Sequence, residues 1–232
     1  SPIPPLADQL LQNLDFVSMS LFRLGVSPDY EPKREDSLFG EAMRRGARPL
    51  EVVYDALLEQ DGKALVYFPI YNYAAGNLDE VGEMLRHPLA LFGLGDGGAH
   101  VGTICDASFP TFLLSHWTRD RPRDRIPLER AIQMLSGAPA RWLSLRDRGI
   151  VEVGRRADLN VIDMEKLALR PPHLVRDLPA GGRRLLQEAE GYRATVVAGQ
   201  VVRDAGRTTD ARPGRIVRAG KRLVAVGDWG TV

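Results

Sequence analysis

The chain has 232 residues, of which 44% are hydrophobic and 26% charged, a composition typical of soluble globular proteins and unlike that of disordered chains. Lysine and arginine number 31 against 30 acidic residues, so charge gives no reason to expect a nucleic acid or an anionic membrane as partner. No apolar run approaches the roughly 18 residues of a membrane-spanning helix. A small neutral or weakly charged ligand fits this composition better.

Two features bear on cellular location. Cys105 is the single cysteine, so the chain cannot form an internal disulfide. The first residues, Ser-Pro-Ile-Pro-Pro, lack the basic and then apolar pattern of a signal peptide. We therefore expect a cytoplasmic protein, with the reservation that an abrupt start at Ser-Pro also suits a fragment of a longer chain.

The first readable element is a helix from Pro49 to about Gln60. Proline suits the first helical position, and Gly62 supplies the stop. The predicted buried face consists of Val52, Val53, Ala56 and Leu57.

A strand is predicted next at Ala64–Tyr71, because the segment is short and rich in β-branched and aromatic residues, although Pro69 should end regular pairing. The tyrosines of this region, Tyr67, Tyr71 and Tyr73, could line a pocket or belong to the core.

A second helix should follow this strand. Asn77 is the predicted N-cap, with Glu80 three residues later, and the helix should end near His87 and Pro88. Its buried stripe is predicted to be Leu78, Val81 and Leu85. The apolar run Leu89–Leu94 then resembles a parallel strand covered on both faces.

The most informative stretch is Gly93–His100, Gly-Leu-Gly-Asp-Gly-Gly-Ala-His, in which Asp96 lies among glycines where the predicted strand ends. Glycine lets the backbone approach a ligand closely. In parallel β/α folds the carboxyl ends of the strands hold the chemistry, which makes this aspartate a candidate catalytic residue. On the local pattern alone, an ordinary glycine-rich turn with a capping aspartate is an equal alternative.

The remainder of the chain changes from helical to β-rich patterns. Helices are predicted at Pro110–Thr118, at Pro127–Ser136 and from Pro139 onward. From Gly149 the segments are short and β-rich, and a second pair of β-runs should turn at Gly199. A small β domain is therefore expected after residue 148.

Three segments resemble one known family, the N-acyl-D-amino-acid deacylase branch of the amidohydrolases. Gly93–His100 is similar to the aspartate-containing turn after the last barrel strand, Gly149–Asp163 to a glycine- and aspartate-containing hallmark of the β-sandwich, and Val197–Val202 to the hairpin that closes it. Shorter matches extend the resemblance through most of the chain: Asn72–Tyr73, Gly76–Asn77, Leu114–Trp117 and Arg212–Arg215.

The resemblance implies an α/β fold made of the last β/α units of a metal-dependent hydrolase TIM barrel (residues 1–148) and the carboxy-terminal part of a small β-sandwich with a tail (residues 149–232). It implies hydrolysis of linear amide C–N bonds, with N-acyl-D-amino acids or related amides as small-molecule substrates. Asp96 would be the catalytic carboxylate, acting as base and then acid, and also a metal ligand. Gly97, Gly98 and His100 would contact the substrate.

The chain departs from the family pattern in its histidines. The family's His-x-His pair, bridging ligand and further strand-end histidines should precede Asp96, where the sequence contains His87 alone, better suited to a helix end. A complete barrel needs about 250 residues. We therefore expect zinc or another divalent ion in the complete enzyme and none bound by this chain alone.

The other candidate functional residues are better explained by structural roles. His116 and its neighbour Ser115 do not make a nucleophile pair, because adjacent residues do not imply one, and His173 lies in a proline-rich loop without an evident role. Cys105 has no neighbour that would lower its pKa. The turn residues Asp158 and Asp163 suit capping and turn hydrogen bonds.

Two hypotheses of different classes follow. In the first, the chain is an incomplete fragment of a hydrolase. In the second, it is a non-catalytic remnant or interaction domain that associates with itself or with the remainder of the barrel through open strand edges.

Overall fold

The computed structural model describes residues 12–93, 98 and 100–217. The chain divides into two compact units, Ser1–His87 and Pro88–Val232, and each contains helices and strands. The mixed α/β character predicted from the sequence is confirmed, whereas the domain limits 1–148 and 149–232 stay a prediction. Among the described residues, no helix combines the length and the apolar character needed to cross a membrane.

The first unit is mainly helical. Its strands, β1 (Phe22–Arg23) and β2 (Val66–Tyr67), pair antiparallel. Short 3₁₀ turns lie at Ser18–Ser20 and Arg34–Asp36. The α-helices are Leu14–Val17, Leu38–Arg45, Pro49–Gly62 and Asp79–Arg86.

The two central helices begin and end at residues suited to those positions. Ser37 caps the helix Leu38–Arg45 by accepting a hydrogen bond on its Oγ from the backbone N–H of Gly40 (3.1 Å). Gly46 ends that helix with φ +64°, a conformation that glycine adopts without strain. The next helix starts with Pro49 at its first position, as predicted.

These helices enclose the core of the first unit. The predicted face of the helix Pro49–Gly62 is correct for three of its four members, while Leu57 is 43% exposed. The backbone leaves helical geometry at Glu59, so the regular part ends close to the predicted limit. The buried cluster consists of Leu21, Leu38, Ala42, Val52, Val53 and Ala56.

The tyrosines of the first unit differ in burial. Tyr73 is buried and donates its hydroxyl to the carbonyl of Pro32, while Tyr71 is 82% exposed. Tyr67 packs edge-on against Tyr30 at 5.1 Å between ring centroids. Tyr73 and Tyr67 are therefore packing residues.

The helix Asp79–Arg86 begins two residues after its predicted cap. Asn77 accepts a hydrogen bond on Oδ1 from the N–H of Asp79 (2.9 Å), and Leu78 occupies the cap position. Asn77 therefore forms a turn just before the helix. The predicted end at His87 is confirmed.

In the second unit, helices precede a β-rich region. The helix Phe109–Phe112 continues as a π-helix, Leu113–Asp120, so the predicted helix is present, begins one residue earlier and ends two residues later. The predicted helix near Pro127 is Leu128–Leu135. The last α-helix of the described residues is Gly137–Trp142, which begins two residues before Pro139, and a short 3₁₀ turn follows at Pro179–Gly181.

Two arginines organise the end of the π-helix. The Arg121 side chain is 1% exposed, and its guanidinium carbon lies 4.5 Å from the ring centroid of Trp117, within cation–π range. Arg119 donates to the backbone carbonyl of Leu167 (2.8 Å) and to that of Met164. Arg119 thereby ties the π-helix to residues 163–167, the loop between the strands Leu159–Ile162 and Ala168–Leu169.

The β-rich region contains eight described strands: β3 (Leu159–Ile162), β4 (Ala168–Leu169), β5 (His173–Leu178), β6 (Gly182–Leu186), β7 (Ala189–Glu190), β8 (Tyr192–Val197), β9 (Gln200–Asp204) and β10 (Arg207–Thr208). Four of them form an antiparallel sheet in the order β10, β9, β8, β3, so β3 lies at an edge among the described strands. Two antiparallel ribbons, β4 with β7 and β5 with β6, accompany it.

The hairpin predicted at Gly199 is confirmed. Ala198 and Gly199 both have positive φ, +50° and +79°, which is the turn geometry whose twist matches a two-residue hairpin. Of the β-runs predicted between Gly149 and Asp163, only Leu159–Ile162 is a strand.

The predicted strand Leu89–Leu94 is not formed at residues 89–93, and Leu89 is 88% exposed. Leu94 lies outside the described residues. A buried parallel strand needs neighbours on both sides, and every strand pair in the described part of the chain is antiparallel. The apolar run alone therefore does not produce a strand here.

Candidate functional site

The segment predicted to hold the chemistry is described in part. Asp96 and Gly97 lie outside the described residues. Gly98 has φ +110°, and a Cβ built there would have no atom within 4 Å. This φ is one that glycine adopts without strain, and the contact of Gly98 with a substrate stays a prediction.

His100 lies in a tight turn at the surface. It is exposed and has φ +44°, and its carbonyl accepts hydrogen bonds from the N–H groups of Thr103 (2.8 Å) and Ile104 (3.0 Å). The structure gives His100 a turn position, and its substrate contact stays a prediction.

A cleft of about 810 Å³ lies in the second unit and includes Gly98 in its lining. One wall consists of Gly98 and residues of the loop 101–108, and the others come from the β-rich region. The walls are held together by hydrogen bonds from the Leu185 N–H to the Val101 carbonyl (2.7 Å) and from Ser108 Oγ to Gln187 Oε1 (2.6 Å). This volume is in the range of small-molecule sites.

A third hydrogen bond joins the helix to the sheet beside the cleft. Thr111 Oγ1 and Tyr192 Oη are 2.8 Å apart, and both residues line the cleft. Because these bonds connect the loop, the helix and the strands, the cleft depends on packing between segments far apart in the sequence.

Cys105 lines the cleft but is not an activated nucleophile. Burial raises the pKa of its thiol, and the negative charge of Asp106 raises it further. The thiol is therefore protonated at neutral pH. This confirms the prediction that nothing lowers the pKa of Cys105.

The histidine and serine of the π-helix have packing roles. The His116 ring stacks on Phe112 (4.6 Å between centroids, 9° between planes) and meets Trp117 edge-on. Ser115 is buried and donates its hydroxyl to the carbonyl of Thr111 (2.9 Å). His173 is exposed at the start of β5.

The two turn aspartates have structural roles, as predicted. Asp158 accepts a hydrogen bond from the Ala198 N–H (2.8 Å), and Asp163 is paired with Arg193 (2.6 Å). Burial alone would raise the pKa of Asp158, but the hydrogen bonds from Ala198 and Arg156 outweigh it and leave the pKa lowered. The Arg193 hydrogen bond lowers the pKa of Asp163.

The described residues do not fit a metal centre. Within residues 12–93, 98 and 100–217, no three histidine, cysteine, aspartate or glutamate side chains are grouped so that they could hold an ion. A divalent site of the kind implied by the resemblance needs three or four placed ligands. The described part of the chain therefore does not supply that set.

The sequence analysis missed the polar residues that the sheet contributes to the cleft. Asn160, Thr195, Arg203 and Arg207 come from four different strands and line it. The alternation within each strand could have indicated a polar face, but not which strands would be neighbours.

Solved structures similar to the chain include D-aminoacylase, described as defining a novel subset of amidohydrolases, a D-aminoacylase mutant in complex with CuCl2, and D-aminoacylase in work on its binuclear metal centre. Each is 23% identical with a TM-score of 0.43, and the match covers 82% of this chain and 36% of the other. The chain thus spans little more than a third of those structures, and the likeness supports no argument about fold. No curated protein matches the chain significantly.

The family model gives a firmer result. The model of the amidohydrolase family matches residues 44–203, well over half of the 232 residues. The matched range contains the Gly93–His100 segment and all of β3 to β8. The chain belongs to the amidohydrolase family.

Proposed function

We propose that the chain is the carboxy-terminal portion of a metal-dependent hydrolase that cleaves the linear amide C–N bond of N-acyl-D-amino acids. The observation that carries this proposal is the family match over residues 44–203, which includes Asp96. The complete protein would be a TIM barrel with a small β-sandwich. The choice of N-acyl-D-amino acids rests on the motifs Gly93–His100 and Gly149–Asp163.

In the proposed reaction, water adds to the amide carbonyl and the C–N bond breaks, giving a carboxylate and an amine. Asp96 accepts a proton from the attacking water and returns it to the leaving nitrogen. Zinc or another divalent ion in the complete enzyme would be held by residues beyond the described part of this chain. The open backbone at Gly98 supports a loop that a substrate can approach.

The test uses the polypeptide as its own gene encodes it, with its mass measured first. Hydrolysis of N-acetyl-D-amino acids is compared with that of their L-enantiomers and of cyclic amides. We expect the D-substrates to have the highest kcat/KM and the polypeptide to be longer than 232 residues. A polypeptide of this length that hydrolyses these amides would contradict the fragment proposal, and a preference for L-substrates or cyclic amides would contradict the substrate.

The variant Asp96→Asn tests whether Asp96 is a catalytic residue. Asparagine keeps the shape of the side chain and removes the proton acceptor, so kcat should fall about 10² to 10⁴-fold with folding nearly intact. Asp61→Asn is the matched control, since Asp61 is exposed in a turn at φ +58° and asparagine tolerates that conformation. A kcat for Asp96→Asn within about threefold of wild type, at equal metal content and melting temperature, would show that Asp96 only caps the turn.

A second candidate function, association without catalysis, is favoured by the edge strand β3. Its Leu159 and Val161 point to one face and are 38% and 51% exposed. An open strand edge beside exposed apolar side chains invites pairing with another strand. We expect concentration-dependent self-association in sedimentation velocity, weakened by Leu159→Thr with Val161→Thr. A monomer at all concentrations would count against this candidate.

A further inference from the structure

A second pocket, of about 510 Å³, lies beside the turn of the β8–β9 hairpin. Ala198 and Gln200 line it from the hairpin, and the segment Arg212–Arg215 lines it from the chain that follows β10. Arg156, which precedes β3, also lines it. Among the described residues, this pocket shares no lining residue with the cleft of Gly98, and its lining contains three arginines and no carboxylate.

The segment that carries two of these arginines is held along the hairpin. The Thr209 N–H donates to the Val202 carbonyl (3.0 Å), and Thr209 Oγ1 donates to the Val201 carbonyl (2.7 Å). The Ala211 N–H in turn donates to Thr209 Oγ1 (3.3 Å). The chain therefore leaves β10 on a fixed course beside β9 and enters the pocket wall at Arg212.

The carboxylates near this pocket are engaged by other arginines. Asp158 accepts hydrogen bonds from Arg156 (2.9 Å) and Arg148 (3.1 Å), and from the Ala198 N–H (2.8 Å). Asp147 pairs with Arg148 (2.9 Å). Two carboxylates therefore balance the charges of Arg148 and Arg156, and the bond to Ala198 keeps Arg156 next to the hairpin turn.

Arg212 and Arg215 supply excess positive charge. Arg212 donates from one guanidinium nitrogen to the carbonyls of Thr209 (2.6 Å) and Ala211 (2.9 Å), which orients the side chain without neutralising it. Within the described part of the chain, neither arginine has a carboxylate at ion-pair distance. The exposed amide of Gln200 adds a neutral hydrogen-bond donor to the same pocket.

These features restrict the chemistry of a ligand. Two guanidinium groups without carboxylate partners favour a ligand with about two negative charges, and the donors require acceptor oxygens. Ala198 and Pro213 are the apolar side chains of the described lining, so a hydrophobic ligand would bury little surface there. A phosphate monoester carries a charge of about −1.5 to −2 at pH 7 and three acceptor oxygens, which guanidinium groups bind by charge-assisted hydrogen bonds.

We propose that this pocket binds the phosphate group of a small hydrophilic molecule, with the phosphate oxygens at Arg212 and Arg215. A carboxylate has a single charge and would balance only one of the two arginines. Arg212 and Arg215 lie outside the range 44–203 that matches the amidohydrolase family. The site is therefore additional to the proposed hydrolysis and does not depend on it.

The test measures binding to the 232-residue chain by calorimetry at neutral pH. The probes are glycerol 3-phosphate, inorganic phosphate, acetate and glycerol. Both phosphate probes should bind, acetate about tenfold more weakly, and glycerol not at all, and phosphate binding should weaken in high salt. Tighter binding of glycerol 3-phosphate identifies a phosphorylated molecule as the ligand, and tighter binding of inorganic phosphate identifies the free ion. Absent binding of both phosphate probes, or equal binding of acetate, would overturn the proposal.

Variants locate the phosphate. Arg212→Gln with Arg215→Gln should lower phosphate affinity about tenfold or more. The matched control, Arg176→Gln with Arg183→Gln, removes the same charge from two exposed arginines of β5 and β6 that do not line the pocket. Its affinity should stay within about twofold of wild type.

A single variant separates binding from folding. Arg212 also bonds to the backbone, whereas Arg215 makes no hydrogen bond or ion pair with the described residues. Arg215→Gln should therefore keep the melting temperature of wild type and lower phosphate affinity several-fold. Unchanged affinity in Arg215→Gln, or an equal loss of affinity in the Arg176 and Arg183 control, would refute the assigned site.

Discussion

Two regions of the molecule bury their apolar residues to very different extents. In the helices Leu38–Arg45 and Pro49–Gly62, the core side chains of Leu38 and Val52 are fully buried. In the four-stranded sheet, Leu159 is 38% exposed and Val201 43% exposed. Both regions have the apolar pattern of their element, so the pattern determines which face is apolar but not whether anything covers it.

The difference comes from the partners available within each unit. Leu38 contacts Leu21 through both its backbone and its side chain. Its N–H donates to the Leu21 carbonyl (2.8 Å), and its side chain belongs to the same buried cluster as Leu21. The apolar row Leu159, Val196 and Val201 runs across three strands in register, and its two outer members remain partly in solvent. The sheet therefore has an apolar face that the described residues leave uncovered.

The difference in burial is tested most directly by the same substitution, leucine to alanine, in each region. Leu38→Ala should lower the free energy of unfolding by about 2–5 kcal/mol, because it removes buried methyl groups and leaves a cavity. Leu159→Ala should cost less than about 1 kcal/mol, because its side chain is already partly hydrated. Urea unfolding followed by far-UV circular dichroism measures both. Equal costs would show that the sheet face is covered in solution.

A second prediction concerns a crowded point at the sheet, where Gly191 precedes β8. Gly191 has φ +91°, and a Cβ there would lie 2.7 Å from the backbone N and Cα of Leu167. Gly191→Ala should therefore destabilise the protein by about 1–3 kcal/mol more than the same change at an open glycine, because backbone atoms must shift.

Gly206→Ala is the matched control for this prediction. Gly206 has φ +83° with no atom within 4 Å of a built Cβ, so its substitution reports the cost of the left-handed backbone alone, about 1–2 kcal/mol. Melting temperatures and urea midpoints of the two variants give the difference. Identical values would mean that the contact with Leu167 relaxes without cost.

Local patterns predicted the elements whose partners are close in sequence. The start of the helix at Pro49 and the turn at Gly199 follow from the φ preferences of proline and glycine. The structural role of Asp158 was also predicted, but its partner Ala198 lies 40 positions away and did not follow from the local pattern.

Sequence patterns gave incorrect predictions where contacts with other elements determine the local structure. The run Leu89–Leu94 has the composition of a buried strand but forms none at residues 89–93, since a strand needs a paired neighbour. The π-helix Leu113–Asp120 could not be told from an α-helix, because the two have similar apolar spacing over two turns.

The candidate site was predictable only in part. The glycines around Asp96 predict a loop that a ligand can approach, and Gly98 has a φ of +110° that glycine adopts without strain. The row Asn160, Thr195 and Arg203 depends on strand register, and the pairing of Asn160 with Thr195 joins residues 35 positions apart. No local signal in the sequence specifies such a register.

The smallest expected effect concerns the surface beside the buried helices. Arg23 binds Glu41 through two hydrogen bonds (2.9 and 3.0 Å), and Arg45 adds a third (3.1 Å). The hydrogen bond from Arg23 is the main cause that lowers the pKa of Glu41 below its usual 4.5, and burial opposes it. The charged carboxylate is therefore favoured in the folded state.

Because the folded-state pKa is lowered, the stability from Glu41 is fully present above the unfolded pKa of about 4.5 and is lost as the pH falls through the folded value. Glu41→Gln should lower the unfolding free energy at pH 7 by less than about 1 kcal/mol, since the pair is partly solvated and Arg23 retains Glu59 as a partner. The difference from wild type should shrink below pH 4.5, where Glu41 becomes protonated. Glu83→Gln, an exposed change on another helix, is the control, and a difference that stayed constant down to pH 2 would contradict an electrostatic origin.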